Sequence, residues 1–350
     1  MSSMTDEATA HEPPHRREVR FRHGDVALAG ALYTPATAGP YPAMIMIQGS
    51  GSADRNNFGY FPPIRAHIVR HGIAVLCFDK PGTGDSSGDW RTQSLQDRAD
   101  EALAAVGFLR GQDDIDPGRV GLWDFSQGGW VTPLAASLSR DIAFIISVSG
   151  PGVSPAEQNA YDIAHNMRAD GLPEEQIARG VAYVETLMDA ARRKDSYERV
   201  EHAVLRAART APWYRYFEIP DAALWDYFLR GDPDYDPVPT LERVRCPVLA
   251  IFGECDRQLP ARASAEIFER APRRGGNPDV TIRVFPEANH GIAIADPAGL
   301  APGYLDLMTD WLRERVGGAG VAPYIPQRRR RYRSRVGEVG VHRPVGGTRP

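Results

Sequence analysis

Three residues, Ser126, Asp256 and His290, have the types and the chain order needed for nucleophilic catalysis. Ser126 lies in VGLWDFSQGGW (120–130), between a short apolar run and a helix-like stretch that begins with Gly128 and Gly129. A serine on a sharp strand-to-helix turn presents its Oγ above a sheet. The next backbone N–H, here that of Gln127, then faces any oxyanion that develops there. The helix start adds a favourable field. In the usual pattern, G-x-S-x-G, the second glycine is Gly128, while Asp124 occupies the place of the first. Taken alone, the segment also reads as a serine that begins a helix, with two glycines allowing close packing.

Three other loops agree with the chemical reading. IQGSGSADRNN (47–57) follows the apolar run AMIMI, and its glycine-rich turn offers free backbone N–H groups. Ser50, with Gly51 beside it, is the expected second oxyanion donor. FGECDRQLP (252–260) places Asp256 just after PVLAIF, where a carboxylate would orient an imidazole. Rival acids are Glu254, Asp296 and the turn cluster Asp232, Asp234 and Asp236. Four histidines follow Ser126. His165 and His202 precede the acid and His342 lies in the basic tail, so His290, in FPEANHGI (285–292), is the expected base. Cys255, next to Asp256, reads as a buried neutral thiol.

The elements that must position these loops are short apolar runs without alternation: 43–47, 73–78, 120–123, 142–148, 247–252 and 280–285. Such runs suit strands buried on both faces of a parallel sheet. Helical patterns separate them at 61–70, 95–109, 127–138 and 261–269, and 304–316 closes the series. This alternation predicts a doubly wound α/β fold. Alternation around His23-Gly24-Asp25 predicts a hairpin over 18–33. From 151 to 239 strand runs are missing and helical segments dominate (155–168, 173–192, 196–209), with an aromatic cluster that includes Trp213 and Trp225. The expected division is a disordered lead-in (1–17), a core (18–150 and 240–316), a helical cap (151–239) and a disordered basic tail (317–350).

The net charge of −4 is unevenly spread. Residues 323–350 carry about +7, which leaves the rest at about −11, so the body lacks the clustered positive charge of a nucleic-acid binder. The run RRRRYRSR (328–335) is expected to be a solvated tail. There is no run of about 20 apolar residues and no apolar leader. Three cysteines form neither a disulfide framework nor a metal-ligand spacing. These features predict a cytoplasmic protein with no metal and no cofactor. The expected partners are a small-molecule substrate and, at most, a second copy of the chain in a homodimer.

QGSG (48–51), FDKPGTGDSSG (78–88), DFSQGG (124–129), GECDRQLP (253–260) and EANHG (287–291) together resemble the α/β-hydrolase superfamily. The similarity covers 19–316 and is to its capped esterase-like branch, the dienelactone hydrolases and the C-terminal domains of prolyl-oligopeptidase type. Gln48 stands where many members have His, and Asp124 where most have Gly. The resemblance implies a carboxylesterase-like serine hydrolase that cleaves an ester, lactone or thioester through an acyl-enzyme. It makes PGTGDSSG (81–88) a structural loop, not a phosphate cradle, since no Lys-Ser/Thr pair follows the glycines. The cap would select a small apolar substrate, with Tyr60, Phe61, Trp213 and Trp225 as candidate lining residues. The rival readings are a natural-product tailoring enzyme on this fold (acyl transfer, lactone formation or C–C cleavage) and a non-catalytic binding protein.

Overall fold

In the computed structural model, which describes residues 15–294 and 299–317, the apolar runs become strands of one eight-stranded sheet. β1 (His15–His23) and β2 (Val26–Thr34) form the expected hairpin, with Gly24 at φ 53° in the left-handed turn. Pairing continues out to His15 opposite Thr34, so residues 15–17, expected to be disordered, belong to the strand. The remainder of that lead-in, Asp296 and the tail from 318 lie outside the described residues.

The next strands are β3 (Tyr41–Ile47), β4 (Ala74–Phe78), β5 (Ile115–Phe125), β6 (Ile145–Val148), β7 (Val248–Gly253) and β8 (Val280–Phe285). The order is β1-β2-β4-β3-β5-β6-β7-β8, and β3 to β8 all run parallel. Their C-terminal ends therefore share one edge, and the strand order reverses at β3, with β4 on one side and β5 on the other, where open α/β sheets hold their ligands.

Alternate residues of the runs feed two separate cores. Ala43, Ile45 and Ile47 pack toward α2 (Leu95–Arg110), and the same core takes in α3 (Gly128–Leu138). Met44 and Met46 pack toward α1 (Phe61–Arg70) on the opposite face. This two-sided burial explains why the strands read as continuous apolar runs.

Between β6 and β7 the chain forms α4 (Pro155–Ala169), α5 (Glu174–Arg192), α6 (197–208, with a π turn at Glu201–Leu205), α7 (Ala222–Arg230) and α8 (Val238–Leu241). The first starts on a reciprocal Ser154–Glu157 capping box. These helices have a third core of their own, built on Met167, Val184, Leu187, Leu205 and Trp225. The final helices are α9 (Ala261–Arg274) and α10 (Tyr304–Val316).

Packing is close where α3 leaves the sheet. A Cβ on Gly129 would lie 2.3 Å from the Gly150 Cα, closer than any real contact. Gly129→Ala is therefore expected to destabilise the protein by about 3 kcal/mol, as overpacking does. Urea unfolding checks this; an unchanged midpoint contradicts the packing.

Candidate active site

Ser126 sits between β5 and α3 with φ 55°, a left-handed conformation that costs a non-glycine residue about 1–2 kcal/mol. The turn is held from both sides. The Ser126 N–H donates to Val148 O at 3.0 Å, and Gly129 N–H donates to Ser126 O at 2.8 Å. Asp124, the departure from the usual motif, points into the protein and is fully buried. It accepts hydrogen bonds from Ser147 Oγ (2.8 Å, on β6) and from the Thr132 hydroxyl on α3. Burial pushes its carboxyl up to about 7, although Thr132, Ser147, the Val148 N–H and the charge of Arg98 oppose the shift. A Cβ on Gly128 would meet the Asp124 Cβ at 2.9 Å, so the second glycine is required here too.

Asp256 and His290 come together from the ends of β7 and β8. His290 Nδ1 lies 2.7 Å from Asp256 Oδ2, and both residues are buried. The other carboxylate oxygen accepts the Gln258 and Leu259 N–H groups at 2.7 and 3.2 Å. With Nδ1 donating to the carboxylate, a neutral imidazole carries its lone pair on Nε2. That Nε2 is buried and has no partner among the described residues. The His290 loop is fixed by Ser149 Oγ, which donates to His290 O at 2.8 Å. It lies so close to β7 that a Cβ on Gly253 would be 2.2 Å from Asn289 O. The rival acids have other roles: Glu254 pairs with Arg262, Asp234 with Arg192, and Asp232 and Asp236 cap turns.

The loop after β3 passes directly beside the serine; a Cβ on Gly49 would touch the Ser126 Cβ at 3.2 Å. Lys80, buried beneath this loop, donates to the carbonyls of Gly49 and of Gly51, the latter at 2.7 Å. Burial, reinforced by the charge of Arg98, holds the Lys80 ammonium well below the ordinary lysine range. Because the Gly49–Ser50 peptide is trans, turning the Gly49 carbonyl toward Lys80 turns the Ser50 N–H the opposite way. Arg98 crosses beneath, donating to Gln48 O and to Gln127 Oε1, each at 2.6 Å. Gln127 in turn shares hydrogen bonds of 3.1 Å with the Tyr227 hydroxyl on α7. Gln48, in place of the more usual His, is buried and donates to Phe78 O.

Two cavities meet at Ser126, and Ser50 lines both. One, a chamber of about 240 Å³ under the inserted helices, is walled by Gln127, Trp130, Met188, Phe217, Leu224, Tyr227 and Phe228. The other is a cleft of about 1020 Å³ that contains His290, Tyr60, Phe125, Cys255 and Arg257.

These cavities correct several expectations. Tyr60 lines the cleft, but Phe61 is fully buried against Trp123, their rings 5.3 Å apart. Trp225 is fully buried in the helical core, its indole N–H donating to Asp195 O at 2.8 Å. Trp213 packs on Tyr183 in the same core. Gly51 lines neither cavity, and its carbonyl accepts from Lys80. Cys255 is exposed in the cleft, not buried, because it lies on the turn after β7 with its N–H tied to Ala288 O. The wall residues Leu224, Tyr227 and Phe228 were discernible from their i, i+3, i+4 spacing, which places them on one helix face. Lys80 lies in the segment FDKPGTGDSSG, but nothing in the sequence marked its contact with the β3 loop, and no signal marked Arg98.

The sheet order and the strand–turn–helix at Ser126 are those of an α/β-hydrolase. Solved structures agree on the fold. The Pyrococcus furiosus esterase Pf2001 superposes with a TM-score of 0.60 at 18% identity, over 91% of this chain and 96% of that one. The α/β hydrolase GrgF from Penicillium sp. sh18 gives 0.58 at 19%, over 87% and 100%. The family model described as X-Pro dipeptidyl-peptidase (S15 family) matches residues 23–291, and the chain belongs to this family. Among curated proteins it is similar to the esterase EstD of Thermotoga maritima (26% identity over 267 residues, 75% of this chain). It is also similar to the quorum-quenching protein AidA of Acinetobacter baumannii (32% over 131 residues, 37%) and to the polyketide transferase claH of Penicillium crustosum (34% over 160 residues, 43%). The matches span 57%, 42% and 49% of those relatives' own lengths.

Asp124 makes stability depend on pH. Its folded pKa of about 7 is above the ordinary 3.8, so its contribution is complete below about 4 and is lost as pH rises through 7. Thermal melting of Asp124→Asn should lose this decline between about pH 4 and 7 relative to the unsubstituted protein. Parallel pH curves for the two proteins contradict the assignment.

Proposed function

We propose that this chain is a serine hydrolase acting on ester, lactone or thioester bonds, with Ser126 as nucleophile, His290 as base and Asp256 as its orienting acid. The observation that carries the reading is the buried, unpartnered Nε2 of His290. Its opposite nitrogen is anchored on Asp256 at 2.7 Å, and it shares one cleft with Ser126. In this reading His290 takes the Ser126 proton as Oγ attacks the carbonyl, and Asp256 stabilises the imidazolium. The N–H groups of Ser50 and Gln127 hold the oxyanion. His290 then protonates the leaving group and activates water to release the acyl-enzyme. The helices from α4 to α8 act as the cap. Tyr161 and Tyr227 tie them to this machinery, the former by donating to Asp256 O at 3.1 Å. No cofactor takes part in these steps.

Acyl transfer to an alcohol is the second reading. It is favoured by the similarity to a polyketide transferase and by a cleft with room for an acceptor. No helix among the described residues is long and apolar enough to cross a membrane. Unpaired cysteines support a cytoplasmic setting.

With 4-nitrophenyl butanoate, Ser126→Ala and His290→Ala should each lose at least about 10³-fold in kcat, and the double variant should be little worse, because the two act as a unit. Retention of a tenth of the activity by either single variant contradicts the roles. Lys80→Met should lower kcat by about 10²-fold, the effect of losing one oxyanion donor, while KM stays within about threefold. A raised KM with unchanged kcat would mean that Lys80 does not position the Ser50 N–H.

A further inference from the structure

The two cavities differ in what they share with the proposed catalytic groups, and this inference rests on the roles given to Ser126 and His290 above. During acyl transfer the Ser126 Oγ–acyl bond forms as the bond to the leaving oxygen or sulfur breaks. The serine proton passes through His290 to that leaving atom, and water later reverses the sequence to release the acid. The leaving group must therefore lie on the imidazole side of the carbonyl. His290 lines the cleft and not the chamber, while Gln127 lines the chamber and not the cleft. Ser126, which must touch the carbonyl carbon between them, lines both.

We propose that the substrate is an ester or thioester with a compact apolar acyl group seated in the chamber and a larger polar leaving group seated in the cleft. The chamber volume of about 240 Å³ sets the acyl limit. An apolar cavity of about 150 Å³ holds benzene. The chamber thus holds one ring on a short linker, or a chain of about eight carbons, against Met188, Leu224 and Phe228. A chain of twelve carbons overfills it. The cleft, at about 1020 Å³, is roughly four times larger. It offers Asn57, Gln258 and the guanidinium of Arg257, which forms no ion pair among the described residues. Tyr60, Phe125, Ile294 and Leu300 line the same cleft, so its surface is mixed, and the three polar groups give it hydrogen-bonding sites for a larger polar leaving group.

Two ester series test this. In 4-nitrophenyl esters from acetyl to hexadecanoyl, kcat/KM should peak between butanoyl and octanoyl and fall at least tenfold by dodecanoyl. In butanoyl esters of 4-nitrophenol, 4-methylumbelliferone and fluorescein, it should vary less than about threefold. Leu224→Trp should lower the octanoyl-to-acetyl ratio at least tenfold, and Leu224→Ala should move the peak to longer chains. A flat acyl profile, or rejection of the larger leaving groups, overturns the division of the substrate while leaving the hydrolase reading intact. If neither series is cleaved and a fluorophosphonate does not label Ser126, the hydrolase reading fails and takes this inference with it.

Discussion

The left-handed backbone of Ser126 sets the terms for everything around it. The turn forces α3 to leave the sheet at close quarters, which demands glycine at 128 and 129. It also demands anchors, and Asp124 is one of them. Its buried carboxyl joins β5 to β6 through Ser147 and to α3 through Thr132. A glycine at this place could make neither bond. The replacement of the usual glycine is thus a polar lock on the turn. Its carboxyl is buried on Ser147 and Thr132 and lines neither cavity at Ser126.

The loops around the serine are held in the same way, by groups that approach from behind. Lys80 grips two carbonyls of the β3 loop, and Arg98 grips the carbonyl of Gln48 and the amide of Gln127. Fixed dipoles of this kind cost no reorganisation when charge develops. The inserted helices complete the arrangement, since Tyr227 reaches the Gln127 amide and Tyr161 reaches the Asp256 carbonyl. Displacement of the helices would therefore disturb the surroundings of both Gln127 and Asp256.

Much of the sheet was legible in the sequence, and the candidate residues lie in loops at its strand ends. Apolar runs without alternation predicted the parallel strands, and each candidate residue followed one of them. Ser126, Asp256 and His290 could be chosen by order and elimination, without knowledge of contacts. The supporting groups could not. Lys80 and Arg98 are ordinary polar residues until the fold buries them beneath a loop distant in sequence. The aromatic candidates failed for a related reason. Trp225 and Phe61 are large enough to be needed in the cores, and composition alone does not say which face of a helix a tryptophan occupies. Cys255 lies on the turn after β7 and is exposed, which its apolar character alone does not convey.

The central claim is that His290, held by Asp256, activates Ser126. It is tested most directly by the site of fluorophosphonate modification, mapped by mass spectrometry of peptides from the unsubstituted protein and from His290→Ala. The account predicts a single adduct on the peptide carrying Ser126, formed at least about 10²-fold more slowly once the imidazole is removed. An adduct on another residue, or an equal rate at Ser126 without His290, would contradict it.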